Sequence, residues 1–116
     1  MRLILKLILM GLIVWGVSKF LTAIRFEDAA AAFIFVIVLA LLNAIVKPIL
    51  IILTIPITIL TLGIFLIFIN AIIILLADYL MEGFTVDGFI WAFIFSLILS
   101  VANSLVEALL TEKDAE

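Results

Sequence analysis

The chain has 116 residues, 70% of them hydrophobic, with a mean hydropathy of +1.65 and a formal net charge of −3. Soluble domains are about 45–50% apolar, so the bilayer must form part of the solvent, and no basic run of the kind that binds nucleic acid is present. Cysteine and histidine are absent, which excludes disulfides and thiolate chemistry and removes the commonest general base and transition-metal ligand.

The first apolar segment covers residues 3–24, but its uncharged core, residues 7–18, is too short to cross a bilayer by itself. It crosses if Lys6 and Lys19 extend their apolar stems and place their charges at opposite surfaces. The rival reading is a secretory signal peptide with Arg2 and Lys6 as its basic region. Glu27 and Asp28, beside the crude cleavage site at residues 29–31, speak against it. The second segment, residues 29–46, is uncharged from Asp28 to Lys47. A longer uncharged run then extends from Lys47 to Asp78. As one helix it would measure about 45 Å, against a hydrocarbon thickness of about 30 Å. It also carries Pro48, Pro56 and Gly63, which do not suit a plain helix interior. The fourth segment, residues 88–106, is uncharged between Asp87 and Glu107. The ending "TEKDAE" reads as a frayed polar tail.

Four transmembrane helices are therefore expected, in one domain over residues 1–110 with a C-terminal tail at 111–116. An even number of spans puts both termini on one side. With them cytoplasmic, Arg2, Lys6, Lys47 and Lys113 lie inside and Lys19 and Arg25 outside, as the excess of inner basic residues requires. Trp15, Tyr79 and Trp91 then fall towards the outer headgroups.

The chain also matches itself. With Ile24 set over Phe84, "IRFEDAAAAFIFVIVLALLNAIVK" lies on "FTVDGFIWAFIFSLILSVANSLVE". Phe35 falls on Phe95, Leu39 on Leu99, Asn43 on Asn103 and Val46 on Val106. Each copy holds two spans, so the copies share one orientation and form a parallel repeat. The expected fold is all-α and membrane-integral: two tandem parallel helical hairpins, residues 1–48 and 61–108, joined by an apolar stretch at 49–60. Because the fourth segment loses its apolar run where Pro48 stands in the second, the second helix is expected to end near Lys47. Residues 48–53 then form a short apolar elbow at the inner surface. Pro56, suited to a first helical turn, opens a third helix over residues 56–79.

The strings "LLNAIVKPILIILTIPITILTLG" (residues 41–63), "FLIFINA" (65–71) and "GFTVDGFIWA" (83–92) give the chain a family likeness. It resembles the small four-helix bacterial membrane proteins called YvlD-like, grouped as a phage-holin-like superfamily, over essentially all but the tail. The resemblance implies a four-helix membrane fold, and the holin name implies a lysis pore. The first loop, "AIRFEDA" (23–29), departs from the family's glycine-containing turn.

Three amides, Asn43, Asn70 and Asn103, fall within helices and must find partners in hydrocarbon. They read as interhelical polar contacts, or more sharply as a cluster on an ion or solute path. Ala92, Ser96, Ser100 and Ser104 form a ladder of small residues, matched by Ala40 and Ala44 in the second helix. Such ladders let helices approach closely, either within one chain or between copies. Thr54, Thr58 and Thr61 share a helical face around Pro56 and can bond back to carbonyls at a kink. Lys47 marks the membrane boundary or holds an anionic lipid headgroup. Asp87 reads as the cap of the fourth helix, and Asp78 and Glu82 as partners for Lys19 or Arg25.

The leading expectation is a non-enzymatic, holin-like protein of the bacterial inner membrane that acts by helix packing and oligomerisation. Membrane lipids and further copies of itself are its expected partners, with no cofactor and no nucleic acid. No nucleophile–base pair is visible. One alternative is a structural or regulatory subunit of another envelope complex. Another is a small transporter or channel with a broken helix at residues 48–56.

Overall fold

A computed structural model describes the backbone of residues 2–115 and the side chains of residues 2–111. Among the described residues, five helices and two short strands follow in chain order: α1 (Arg2–Phe20), β1 (Ile24–Phe26), α2 (Ala29–Leu53), α3 (Ile55–Leu60), α4 (Phe65–Leu80), β2 (Phe84–Val86) and α5 (Phe89–Ala115). Helices α1, α2 and the Phe89–Thr111 part of α5 are long and apolar enough to cross a membrane. Helix α4 is apolar but shorter, at 16 residues, or about 24 Å.

The uncharged run between Lys47 and Asp78 resolves differently from the expected elbow. Pro48 does not end the second helix; α2 runs through it to Leu53. Proline is tolerated inside membrane-spanning helices more readily than in soluble ones. The break comes later, before Pro56. Pro56 cannot donate to the carbonyl of Ile52, and its ring would crowd that carbonyl in a continuing helix. Thr54 closes α2: its N–H reaches Leu50 O at 3.1 Å and its hydroxyl donates to the same oxygen at 2.8 Å. The expected third helix is likewise two pieces, α3 and α4. At the end of α3, Gly63 N–H bonds Thr58 O at 2.8 Å and Leu62 N–H bonds Ile59 O at 3.1 Å. This is a Schellman closure, with Leu62 at φ 57° and Gly63 at φ 88°. A leucine in that left-handed position costs about 1–2 kcal/mol. Helix α3 contributes no buried residue; Ile55, Ile57, Ile59 and Leu60 are exposed.

The all-α expectation also misses a strand pair. β1 and β2 pair antiparallel, Ile24 with Val86, Arg25 with Thr85 and Phe26 with Phe84. The ladder is extended at both ends, by Glu27 N–H to Gly83 O at 2.7 Å and by Asp87 N–H to Ala23 O at 3.0 Å. In the alignment of the two halves, Glu27 falls on Asp87 and Ala23 on Gly83, so these two bonds are counterparts of each other. Helix ends coincide in the same way: α1 and α4 stop at Phe20 and Leu80, and α2 and α5 start at Ala29 and Phe89.

The helices form a ring in which α1 packs on α2 and α5, and α4 packs on α2 and α5. Helices α2 and α5 lie across the diagonal, so the packing of one small-residue ladder on the other expected within one chain does not occur. Phenylalanines bridge them instead. Phe35 and Phe95 stand 5.7 Å apart, and Phe26 and Phe84 complete the cluster beneath the strands with Phe35–Phe84 at 4.5 Å. Ala32, Phe35, Ala92 and Phe95 are fully buried. Outside, Ile37, Leu41 and Ile45 on α2 and Leu97, Val101 and Leu105 on α5 are exposed, each a helical turn from the next. Such apolar stripes suit a lipid surface.

The polar ends also differ in detail from expectation. Asp87 does not cap α5. Gly88 occupies the position before the helix, and the Asp87 carboxylate takes both Arg25 guanidinium nitrogens at 2.8 and 2.7 Å. It is Asp28 that caps a helix, accepting from Ala31 N–H at 2.8 Å. Asp78 accepts from Val86 N–H at 3.1 Å, and Lys19 lies 4.0 Å over the Trp15 ring. The residues expected as a frayed tail continue α5 to Ala115; the side chain of Lys113 lies outside the described residues.

Close packing of α1 on α2 rests on Gly11, where a Cβ would collide with the Phe33 ring. Gly11→Val should therefore lower stability by about 1–3 kcal/mol, read as a lower Tm in detergent, whereas Gly16→Val, which meets nothing within 4 Å, should leave it nearly unchanged. The hydrogen bonds and charge of Arg25 hold the Asp87 carboxyl below its usual range. A depressed carboxyl contributes stability above its unfolded pKa of about 3.9, and that contribution is lost as pH falls through the lower folded value. Acid unfolding below about pH 4 should thus be blunted in Asp87→Asn, which has no carboxyl to protonate there, relative to the parent chain.

Candidate functional site

The strands hold one end of the ring closed. Measured from that end, Lys6, Asn43 and Asn103 lie equally far into their helices, counted from Phe20, Ala29 and Phe89. At the helical rise per residue that depth is about 21 Å. Asn70 lies about 15 Å from Leu80, and Lys47 about 27 Å from Ala29, on the same measure. These are lengths along each helix, and from all four helices polar groups converge.

They surround one pocket of about 280 Å³. Its wall consists of Lys6 and Met10 from α1, Leu39, Asn43 and Lys47 from α2, Asn70, Ile73 and Ile74 from α4, and Ser96, Leu99, Ser100 and Asn103 from α5. Asn43 and Ser100 are exposed, so the pocket communicates with the outside of the bundle.

All three helix-embedded amides thus meet at one place, with two serines of the small-residue ladder and the lysine beside Pro48. Among the described residues none of the three amides has a hydrogen-bond partner in protein. An amide offers two donors and an acceptor, and leaving these unmet in a dry interior is costly. The pocket therefore demands water or a polar occupant.

The two lysines differ. Lys6 donates to Glu107 and forms an ion pair with it, and Arg2 stands 3.8 Å from the same carboxylate while donating to Thr111 Oγ1 at 2.9 Å. These contacts tie the start of α1 to the later turns of α5. Lys47 is half-buried and has no carboxylate or hydrogen-bond acceptor among the described residues.

The other residues singled out from the sequence lie elsewhere. Ala92 and Ser96 are buried, and Ser96 donates to Phe93 O at 2.6 Å. Ala40, Ala44 and Ser104 are exposed on the bundle's outside. Pro48 is exposed on α2. Thr54, Pro56, Thr58, Thr61 and Gly63 belong to α3 and its flanking turns. Thr61 donates to Thr58 O at 3.3 Å and accepts from Phe65 N–H at 3.2 Å. The Thr58 hydroxyl is buried without a partner. The sequence alone does not mark Lys6 and Met10 as pocket walls. Met10 has only a positional signal: where the sequence is laid over itself, it falls on Asn70.

The sequence pattern of the family described as mycobacterial 4 TMS phage holin, superfamily IV, matches residues 1–105. The chain belongs to phage holin superfamily IV. It is 40% identical over 95 residues to the uncharacterized membrane protein YvlD of Bacillus subtilis, covering 78% of this chain and 77% of YvlD. It is 39% identical over 92 residues to an uncharacterized protein of Streptomyces coelicolor, covering 76% of this chain and 74% of that protein. No solved structure matches. In this holin-family membrane protein the span shared with the family contains every pocket-lining residue, from Lys6 to Asn103.

The chain has no native cysteine, so wetting of the pocket can be read by single-cysteine labelling. Asn43→Cys and Ser100→Cys should react readily with a membrane-impermeant thiol reagent, because thiolate formation needs water. Leu41→Cys and Val101→Cys, on the exposed apolar stripes, should be protected in lipid.

Proposed function

We propose that this protein is a non-enzymatic, four-span component of the bacterial cytoplasmic membrane that works by packing against further copies of itself. Helices α1, α2, α4 and α5 are the spans, with α3 as an apolar piece at the inner surface. Both termini are cytoplasmic in this reading, with Arg2, Lys6 and Lys47 at the inner end and the strands outside. The two halves, about residues 1–48 and 61–108, are parallel copies about an axis along the bilayer normal. The strand register and the coincident helix ends support that relation.

The observation that carries the oligomer is the exposure of Ala40, Ala44 and Ser104. Small residues on a lipid-facing helix let a second helix approach closely, and no helix of the same chain covers them. In lipid, association of this kind depends on packing and interhelical hydrogen bonds, not on hydrophobic exclusion. Ala44→Cys and Ser104→Cys should therefore form disulfide-linked dimers in membranes under mild oxidation. Ala44→Leu combined with Ser104→Leu should shift the parent oligomer towards monomer in mild detergent. A parent chain that runs only as monomer, and cysteines that never cross-link, would contradict the reading. Co-expression with a cytoplasmic endolysin tests the lysis pore that the holin name implies. Lysis on induction supports it, and intact cells at high expression speak against it.

The polar pocket favours a second reading, a small transporter or channel. Its solute path would run between α2 and α5 at residues 39–47 and 96–103, and not through residues 48–56.

A further inference from the structure

We infer that the pocket is a binding site for a phosphate group presented from the cytoplasmic side, with the phosphate of a membrane lipid as its source. This rests on the orientation proposed above, with Lys47 at the cytoplasmic end, and does not require an oligomer.

Charge comes first. Among the described residues, the pocket wall carries two cations and no carboxylate. Glu107, the acid nearest it in contact, is already engaged by Lys6 and Arg2. Lys47 is left half-buried and unneutralised among the described residues. An anion in the pocket supplies the counter-charge that Lys47 lacks there. A cation or neutral solute would not.

Hydrogen bonding points the same way. Asn43 and Asn103 lie at the same depth on helices across the diagonal, and Ser100 lies one turn above Asn103. Their N–H and O–H groups are unused towards protein, apart from the solvent-facing side. Charge-assisted bonds from Lys47 and these donors are of the strong class, and a lysine serves phosphate as a flexible point charge. Basic pockets between membrane helices on the cytoplasmic side are suited to lipid headgroups.

Access selects the lipid source. Asn43 and Ser100 are exposed beside Leu41 and Val101, which belong to the apolar outer stripes. A headgroup can therefore sit among the amides while its acyl chains remain along the helices in the bilayer. The pocket, at about 280 Å³, need hold only the headgroup.

The test uses the full chain in a neutral maltoside detergent, with Tm as the readout. Dioctanoyl phosphatidic acid should raise Tm saturably, because a ligand that binds only the folded state stabilises it. Dioctanoylglycerol, which lacks the phosphate, should not. Lys47→Gln and Asn43→Leu should weaken the response about tenfold or more, each factor of ten being about 1.4 kcal/mol, while Lys47→Arg should keep it. If Lys47→Gln does not fold, Asn103→Ser carries the comparison. Inorganic phosphate reproducing the shift at equal concentration would keep the phosphate site but overturn the lipid source. No shift with either phosphate compound, or a shift unchanged in Lys47→Gln and Asn103→Ser, would overturn the site.

Discussion

Two three-residue strands govern how this bundle is put together. In hydrocarbon or at its edge, backbone groups outside helices must be paired within the protein. The connections from α1 to α2 and from α4 to α5 meet this constraint by pairing with each other. Strand bonds, the flanking Glu27–Gly83 and Asp87–Ala23 bonds, the Asp78 carboxylate on Val86 N–H and the Arg25–Asp87 ion pair all lie at one end. Beneath them Phe26, Phe35, Phe84 and Phe95 fill the axis. The two halves are thereby fixed in mutual position before any helix-to-helix contact further down is considered.

The opposite end is built differently. Large rings give way to Asn43, Asn70, Asn103, Ser96 and Ser100, which are smaller and polar. The contacts that close the ring there are the side-chain bonds of Arg2 and Lys6 to α5. A space of about 280 Å³ remains among the asparagines and serines, walled also by Met10, Leu39, Ile73, Ile74 and Leu99.

Much of the helical layout is legible in the sequence. Uncharged runs bounded by Asp28 and Lys47, and by Asp87 and Glu107, mark α2 and α5, since a charge inside hydrocarbon is expensive. Asn43, Asn70 and Asn103 stand out for the same reason. What the sequence hides is of two kinds. "IRF" and "FTV" are too short to show a strand alternation, and they pair across opposite halves of the chain, so no local signal exists for β1 and β2. Pro48 and Pro56 look alike in sequence but act differently: α2 runs through the first and stops before the second. Just before Pro56, Thr54 closes the helix with its N–H and hydroxyl on Leu50 O. Arg25 drawing Asp87 away from capping is likewise a contact between distant segments.

The bundle is closed by strands at one end and lined by asparagines around a polar pocket at the other. Solid-state NMR in lipid bilayers, following polarisation transfer from water protons, tests this most directly. Side-chain amides of Asn43, Asn70 and Asn103 should receive water magnetisation early, while Phe35 and Phe95, buried beneath the strands, should receive it late. Asparagine amides as slow as those phenylalanines would contradict the account.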